Sequence, residues 1–180
     1  YQDALEEYAK EHDPKDLTVD DIQKVIDAIN GVQDAKDNPT ADTIRNAHDA
    51  VNNLDDGALK DKLLQELEDI TIEYIVNNPG AITEELLDFA NLDTDSSRMD
   101  SYIEYLNDVL PGMPKPVSKD QLQDLIDMVD SVWTAYYQAI NNPSKPNVLS
   151  YETAVQLLED GIFKTKMTAL IDDVALVYLI

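Results

Sequence analysis

The side chains that most often do chemistry are unevenly supplied in this chain. It has 37 acidic residues, two histidines and no cysteine, so thiolate metal sites, disulfides and thiol nucleophiles are excluded. His12 and His48 both lack a glutamate three residues before them, the spacing that carboxylate metal sites in helical bundles use. We therefore expect both histidines at the surface, without a metal.

No catalytic motif accompanies the acidic residues. The serines lack the G-x-S-x-G elbow and any Ser/His/acid order, and five glycines build no phosphate-binding loop. The carboxylates fall on the polar sides of amphipathic helices. There no apolar environment raises the pKa of one carboxylate of a pair above that of the other, as acid–base catalysis requires. We expect a protein that is not an enzyme and has no cofactor.

An acidic stretch at residues 93–104 is the sharpest candidate for a metal site. Oxygen-bearing side chains occupy positions 1, 3, 5, 9 and 12 of a helix–loop–helix calcium loop, namely Asp93, Asp95, Ser97, Ser101 and Glu104. Arg98 stands at position 6, where the sharp turn needs glycine, so no metal is favoured. The simpler interpretation is that Asp95 or Ser97 caps the following helix. A calcium-dependent helical module is the alternative.

Trp133, Tyr136 and Tyr137 are candidates for a partner-binding surface. Trp133 and Tyr137 lie four residues apart and therefore share a helix face. Packing in the core is the simpler interpretation of these rings. An exposed aromatic patch, a kind of surface that anchors protein partners, is the alternative, and the partner would be an unknown protein or cell-surface ligand.

The net charge of −24 limits the partners. No basic cluster is available for phosphates, so we expect no nucleic-acid binding. No apolar run reaches the ~20 residues that span a bilayer, so we expect no membrane insertion. An acidic mimic that binds a basic protein in place of nucleic acid is a further alternative. Hydrophobic residues make up 43% of the chain, enough for us to expect a folded core.

An internal repeat organises the sequence. Residues 37–76 match residues 141–180 without a gap, and eleven of the forty positions are identical, where composition predicts roughly two or three. The shared glycines, Gly57 and Gly161, predict turns in which glycine is favoured because it tolerates positive φ. Weaker matches at offsets of 97 and 100 extend the repeat into the preceding helices. A self-match at fixed offset is typical of tandem repeats.

Apolar residues at helical spacing run through both copies, and no segment predicts a strand. We predict an all-α fold with two tandem copies of a helical-bundle repeat of about a hundred residues. Residues 1–78 form the first copy, without its opening, and residues 79–180 form a connecting helix and the second copy. Thr18 and Ser118 are the predicted N-caps of equivalent helices. We expect the chain to be a piece of a longer protein.

The second half of each copy carries a recognisable pattern, A-x-x-x-V-N-x-L-x-D-G followed by K-x-x-L-x-x-x-L. In the first copy its residues are Ala47, Val51, Asn52, Leu54, Asp56, Gly57, Lys60, Leu63 and Leu67. The second copy keeps Val155, Leu158, Asp160, Gly161 and Lys164, with Gln156 for the asparagine and Met167 for a leucine. The pattern resembles the short helical repeats of large bacterial surface proteins, adhesins among them.

That resemblance implies a secreted, surface-anchored, non-enzymatic array, and it carries over no binding residues. We therefore expect a structural or adhesive module on the outside of a bacterial cell. It would act as a spacer or as a partner-binding stalk, with further repeats of the same chain as its neighbours.

Overall fold

The computed structural model describes residues 1–11 and 17–179, and that part of the chain folds into α-helices and short 3-10 turns. The α-helices are α1 (Gln2–Glu11), α2 (Val19–Asp37), α3 (Ala41–Asn52), α4 (Ala58–Asn77), α5 (Glu84–Phe89), α6 (Met99–Val109), α7 (Lys119–Asn141), α8 (Lys145–Leu157) and α9 (Ile162–Leu179). The 3-10 turns are Pro79–Ala81, Ser96–Arg98 and Leu110–Gly112. No strand occurs among the described residues, so the all-α prediction is confirmed.

Side-chain caps explain why α2 and α7 begin where they do. The Asp21 amide donates to Thr18 Oγ1 (3.2 Å), and the Thr18 amide donates to Asp21 Oδ2 (3.0 Å). Ser118 and Gln121 exchange the same two bonds at 3.2 and 2.9 Å. Because these bonds satisfy amides that a helix start leaves open, the two predicted N-caps are confirmed.

Contacts divide the chain into two compact units. Unit 1 comprises Tyr1–Asn77 and Glu85–Asn91. In unit 1, α2, α3 and α4 pack against one another, while α1 packs on α4 and α2. Its fully buried side chains include Val25, Ala28, Ile44, Ala47, Val51 and Leu67. Residues 85–91 join this unit through α3, where Arg45 Nη2 lies 2.6 Å from Glu85 Oε2.

Unit 2 comprises Asn78–Glu84 and Leu92–Ile180. Here α7, α8 and α9 pack against one another, and α6 packs on α9 and α7. Its fully buried side chains include Tyr102, Tyr105, Leu122, Ile126, Tyr151 and Val174. Each unit therefore has a core of its own, built from helices in the same chain order.

Equivalent polar contacts occur in the two units. In each, a lysine in the first turn of a helix (α4 in unit 1, α9 in unit 2) donates to a carbonyl and a carboxylate of the preceding turn. The bonds run from Lys60 Nζ to Leu54 O (3.1 Å) and Asp56 Oδ1 (3.0 Å), and from Lys164 Nζ to Leu158 O (2.7 Å) and Asp160 Oδ1 (3.0 Å). That the chain holds two copies of one repeat stays a prediction, and these contacts support it.

Glycine plays a different part in these turns from the one expected. No described glycine has positive φ, so left-handed geometry does not explain Gly57 or Gly161. At Gly161 the constraint is space, because a Cβ there would collide with the Asp108 side chain. Asp108 Oδ2 accepts from the Phe163 amide (2.9 Å) at the start of α9, so a side chain at residue 161 would displace a helix-capping carboxylate.

Candidate functional site

A groove in unit 2, bounded by α6, α7 and α9, is a candidate site in the described chain. Its volume is about 530 Å³, within the range of roughly 300–1,000 Å³ that ligand clefts usually have. Phe163 and Met167 form its floor and are nearly fully buried. The half-buried side chains of Trp133 and Leu170 form its apolar walls. We call it the unit 2 groove.

The rim of the unit 2 groove is polar. Lys166 Nζ donates to both carboxylate oxygens of Glu104, at 2.6 and 2.9 Å, and so joins α9 to α6. Trp133 Nε1 donates to Ser101 Oγ at 3.1 Å, which fixes the edge of the indole. Asp100 completes the rim and is exposed. The groove thus offers an apolar floor, one oriented indole and an open carboxylate.

The predicted aromatic candidates lie together on one face of α7. Trp133 and Tyr137 stack with centroids 5.7 Å apart and planes at 27°, and Trp133 meets Tyr136 edge-on at 5.5 Å. Tyr136 also lies edge-on to the buried Tyr151, at 5.5 Å. Tyr137 is 49% exposed, whereas Trp133 and Tyr136 are half-buried. The cluster is therefore part core and part surface, with Trp133 as its link to the groove.

The calcium candidates have hydrogen-bond partners of their own or line the groove. The Asp93 amide and carbonyl bond to the Gln123 side chain at 2.8 and 3.1 Å. Asp95 Oδ1 accepts from the amide and the hydroxyl of Ser97 at 2.9 and 2.7 Å, so Asp95 caps the turn Ser96–Arg98 rather than α6 itself. These hydrogen bonds lower the pKa of Asp95. Ser101 and Glu104 lie instead at the groove rim.

Arg98, which stands at the loop position where calcium binding needs glycine, joins a polar network. Its Nη1 donates to Asp130 Oδ1 at 2.7 Å, and the Tyr102 hydroxyl donates to the same oxygen. Burial, followed by the hydrogen bond to Asp130, raises the pKa of Tyr102 to about 12. This network ties the segment before α6 to α7, which is a structural role.

His48 corrects the expectation that both histidines lie at the surface. Its side chain is 6% exposed and stacks on Phe89, with ring centroids 3.9 Å apart and planes at 8°. Its Nε2 atom is buried and has no hydrogen-bond partner among the described residues. Burial therefore lowers the pKa of His48. The prediction was wrong because Phe89, whose ring covers His48, lies 41 positions away in the sequence. No local pattern links the two residues. His12 lies outside the described residues.

The described residues contain no group of three or more His, Cys, Asp or Glu side chains arranged to hold a metal ion. None of the helices in residues 1–11 and 17–179 combines the length and apolar character needed to cross a membrane.

Sequence reasoning missed the groove itself. In the sequence Leu170 is one of several apolar residues at helical spacing in the last helix, which predicts packing and not a groove, and the Glu104–Lys166 pair joins residues 62 positions apart. A signal was present in the sequence, since Glu7 and Lys62 are the identical residues at offsets of 97 and 104 from Glu104 and Lys166. They form the same pair, with Lys62 Nζ 3.9 Å from Glu7 Oε2. The chain matches no family model, no curated protein and no solved structure.

Proposed function

We propose that this chain is a non-enzymatic structural repeat module of a longer, secreted bacterial surface protein. It serves as a spacer that holds a binding domain away from the cell, or as a stalk that contacts a partner directly. The neighbours of the module are further repeats of the same chain.

The observation that carries this proposal is the recurrence of the same inter-helix contacts in both units. Lys60 joins the start of α4 to the turn before it, and Lys164 does the same for α9. Glu7–Lys62 joins α1 to α4, and Glu104–Lys166 joins α6 to α9. A module that is lengthened by copying must bring its own internal contacts with each copy, and these contacts are of that kind.

Stretching of the full chain between its two ends tests the spacer function. Because each unit has its own core, we expect two unfolding steps per molecule. Each step should release roughly 80–100 residues, which is about 300 Å of chain at about 3.3–3.6 Å per residue. A single step that releases the whole chain would contradict the proposal.

Matched variants assign the two steps. Leu54 is 3% exposed and Leu158, at the corresponding position, is 2% exposed. Leu54→Ala should lower the force of one step, and Leu158→Ala should lower that of the other, because each removes a core side chain worth about 2–5 kcal/mol. If either variant weakened both steps equally, the units would not be independent.

The extracellular location has a separate test. A tag fused to the protein in its native cell should react with antibody on intact cells. Labelling that appears only after the cells are permeabilised would contradict a surface location while leaving the repeat architecture untouched.

A further inference from the structure

We propose that the unit 2 groove is a docking site for a basic polypeptide segment. The segment inserts a bulky apolar side chain beside Trp133 and Leu170 and places a lysine or arginine on Asp100. This inference goes beyond the spacer function, and either can fail without the other.

The groove has the chemistry of an anchor site. Phe163 and Met167 close its floor, so an inserted side chain meets apolar atoms below as well as beside it. The indole of Trp133 is held by its bond to Ser101, 3.1 Å long, and therefore loses little freedom when a partner covers it. Oriented aromatic walls around a desolvated pocket are where binding energy concentrates.

The apolar walls are not required by the helical architecture. At the positions that correspond to Trp133 and Leu170, the first copy has Gln33 and Glu66, and both are exposed. The helices of unit 1 nevertheless pack around their own core, with the rim pair Glu7–Lys62 in place. Trp133 also packs in the aromatic cluster of α7, and together with Leu170 it gives unit 2 an apolar groove mouth where unit 1 has exposed polar side chains.

Charge identifies the ligand as basic. Lys166 is engaged by Glu104, at 2.6 Å. The Asp100 carboxylate is exposed and has no ion pair or hydrogen bond within the described part of the chain. A net charge of −24 steers cationic partners toward the protein and repels acidic ones. A second copy of this chain carries the same −24 and is therefore disfavoured as the occupant.

The test uses the full chain and a displayed library of random 12-residue peptides, selected in about 0.15 M sodium chloride. We expect the enriched peptides to combine Lys or Arg with at least one Leu, Ile, Phe or Met. Peptides without tryptophan are then titrated against the protein. Trp133 is the single tryptophan of the chain, so a blue shift of its emission reports an apolar side chain entering the groove.

A pair of matched variants separates the groove from general attraction to an acidic surface. Leu170→Gln removes an apolar wall, whereas Leu149→Gln makes the same change at a leucine that is 49% exposed and does not line the groove. We expect Leu170→Gln to weaken peptide binding at least about tenfold, the loss of about 1.4 kcal/mol of affinity. Leu149→Gln should leave binding within about twofold.

Asp100→Asn tests the basic half of the ligand. The substitution should weaken the binding of the enriched peptides. Peptides in which Gln replaces Lys and Arg should bind poorly to both proteins, and the substitution should not weaken their binding further. Circular dichroism melts confirm that each variant is folded. No enrichment, equal losses in Leu170→Gln and Leu149→Gln, or equally tight binding of the Gln-substituted peptides would each overturn the proposal.

Discussion

The helix pairs α2–α3 and α7–α8 occupy corresponding places in the two units but pack with different side chains. In unit 1 the two helices approach closely at Gly31, where a Cβ would lie 3.1 Å from Ala47 Cα. In unit 2 the corresponding residues are Ser131 and Tyr151. The helices α2 and α3 thus meet through the hydrogen atom of Gly31 and the methyl group of Ala47. In unit 2 the ring of Tyr151 stands at the position that corresponds to Ala47, so the two helix pairs cannot pack identically.

Tyr151 connects the core of unit 2 to its surface. The ring is fully buried and its hydroxyl donates to the Met167 carbonyl of α9 at 2.6 Å. One edge meets Tyr136, which in turn contacts the exposed Tyr137. The small residues of unit 1 offer no such path. A change of residue size at one helix contact therefore accompanies the aromatic surface that distinguishes the second unit.

Truncation of Tyr151 should have the largest effect. Tyr151→Ala leaves a ring-sized cavity and removes the support of Tyr136, so we expect a loss of about 3–5 kcal/mol of unfolding free energy. Chemical denaturation measures it. Tyr151→Phe keeps the ring and loses the bond to the Met167 carbonyl, which should cost about 0.5–1.5 kcal/mol. Similar losses in the two variants would mean that the ring itself does not fill the contact.

Gly31→Ala should have the next largest effect. Alanine is favoured over glycine inside a helix by up to about 1 kcal/mol, but the new Cβ would press on the backbone of α3 rather than on a flexible side chain. Overpacking of this kind costs about 1–3 kcal/mol, so we expect net destabilisation.

Ser131→Ala is the matched control, since Ser131 is exposed. Alanine is the better helix former there, and we expect stability to rise by a few tenths of a kcal/mol. If Gly31→Ala also stabilised the protein, close approach at Gly31 would not be what distinguishes the two helix pairs.

The contrast shows what the sequence could and could not predict. Helix content and the caps at Thr18 and Ser118 follow from residues a few positions apart, and both predictions are confirmed. The burial of His48 and the space required at Gly161 depend on Phe89 and Asp108, which local patterns do not bring near. The groove likewise needs α6, α7 and α9 together.

The stability of unit 1 should depend on pH through His48. Burial holds the pKa of His48 below its ordinary value of 6.5, so as pH falls the unfolded chain binds the proton first. Folding is therefore progressively disfavoured below about pH 6.5, down to the pKa of the folded state. Asp49 and Glu85 oppose the shift by favouring the protonated ring. Denaturation at pH 7.5 and 5.5 measures the loss.

His48→Phe is the control for this dependence. Phenylalanine retains a ring to stack on Phe89 and does not titrate, so the variant should lose less stability between the two pH values than the original chain. In unit 2 the corresponding residue is Glu152, and no acid-sensitive ring is expected there. An identical pH profile for both proteins would show that protonation of His48 is not linked to folding.

The smallest effect should come from the pairs that the two units share. Glu104 and Lys166 approach to 2.6 Å with Glu104 23% exposed, whereas Glu7 and Lys62 lie 3.9 Å apart with Glu7 36% exposed. Exposed pairs contribute about 0–1 kcal/mol.

Removing a lysine also makes a chain of charge −24 more acidic, so a single variant combines the effect of the lost ion pair with the effect of the changed net charge. Double-mutant cycles subtract that background. We expect the Glu104→Gln/Lys166→Met cycle to give a coupling free energy of about 0.5 kcal/mol. Salt at 1 M should weaken this coupling because the electrostatic screening length falls to about 3 Å. The Glu7→Gln/Lys62→Met cycle should give no measurable coupling. A larger coupling for Glu7–Lys62 would reverse the ranking that the two distances imply.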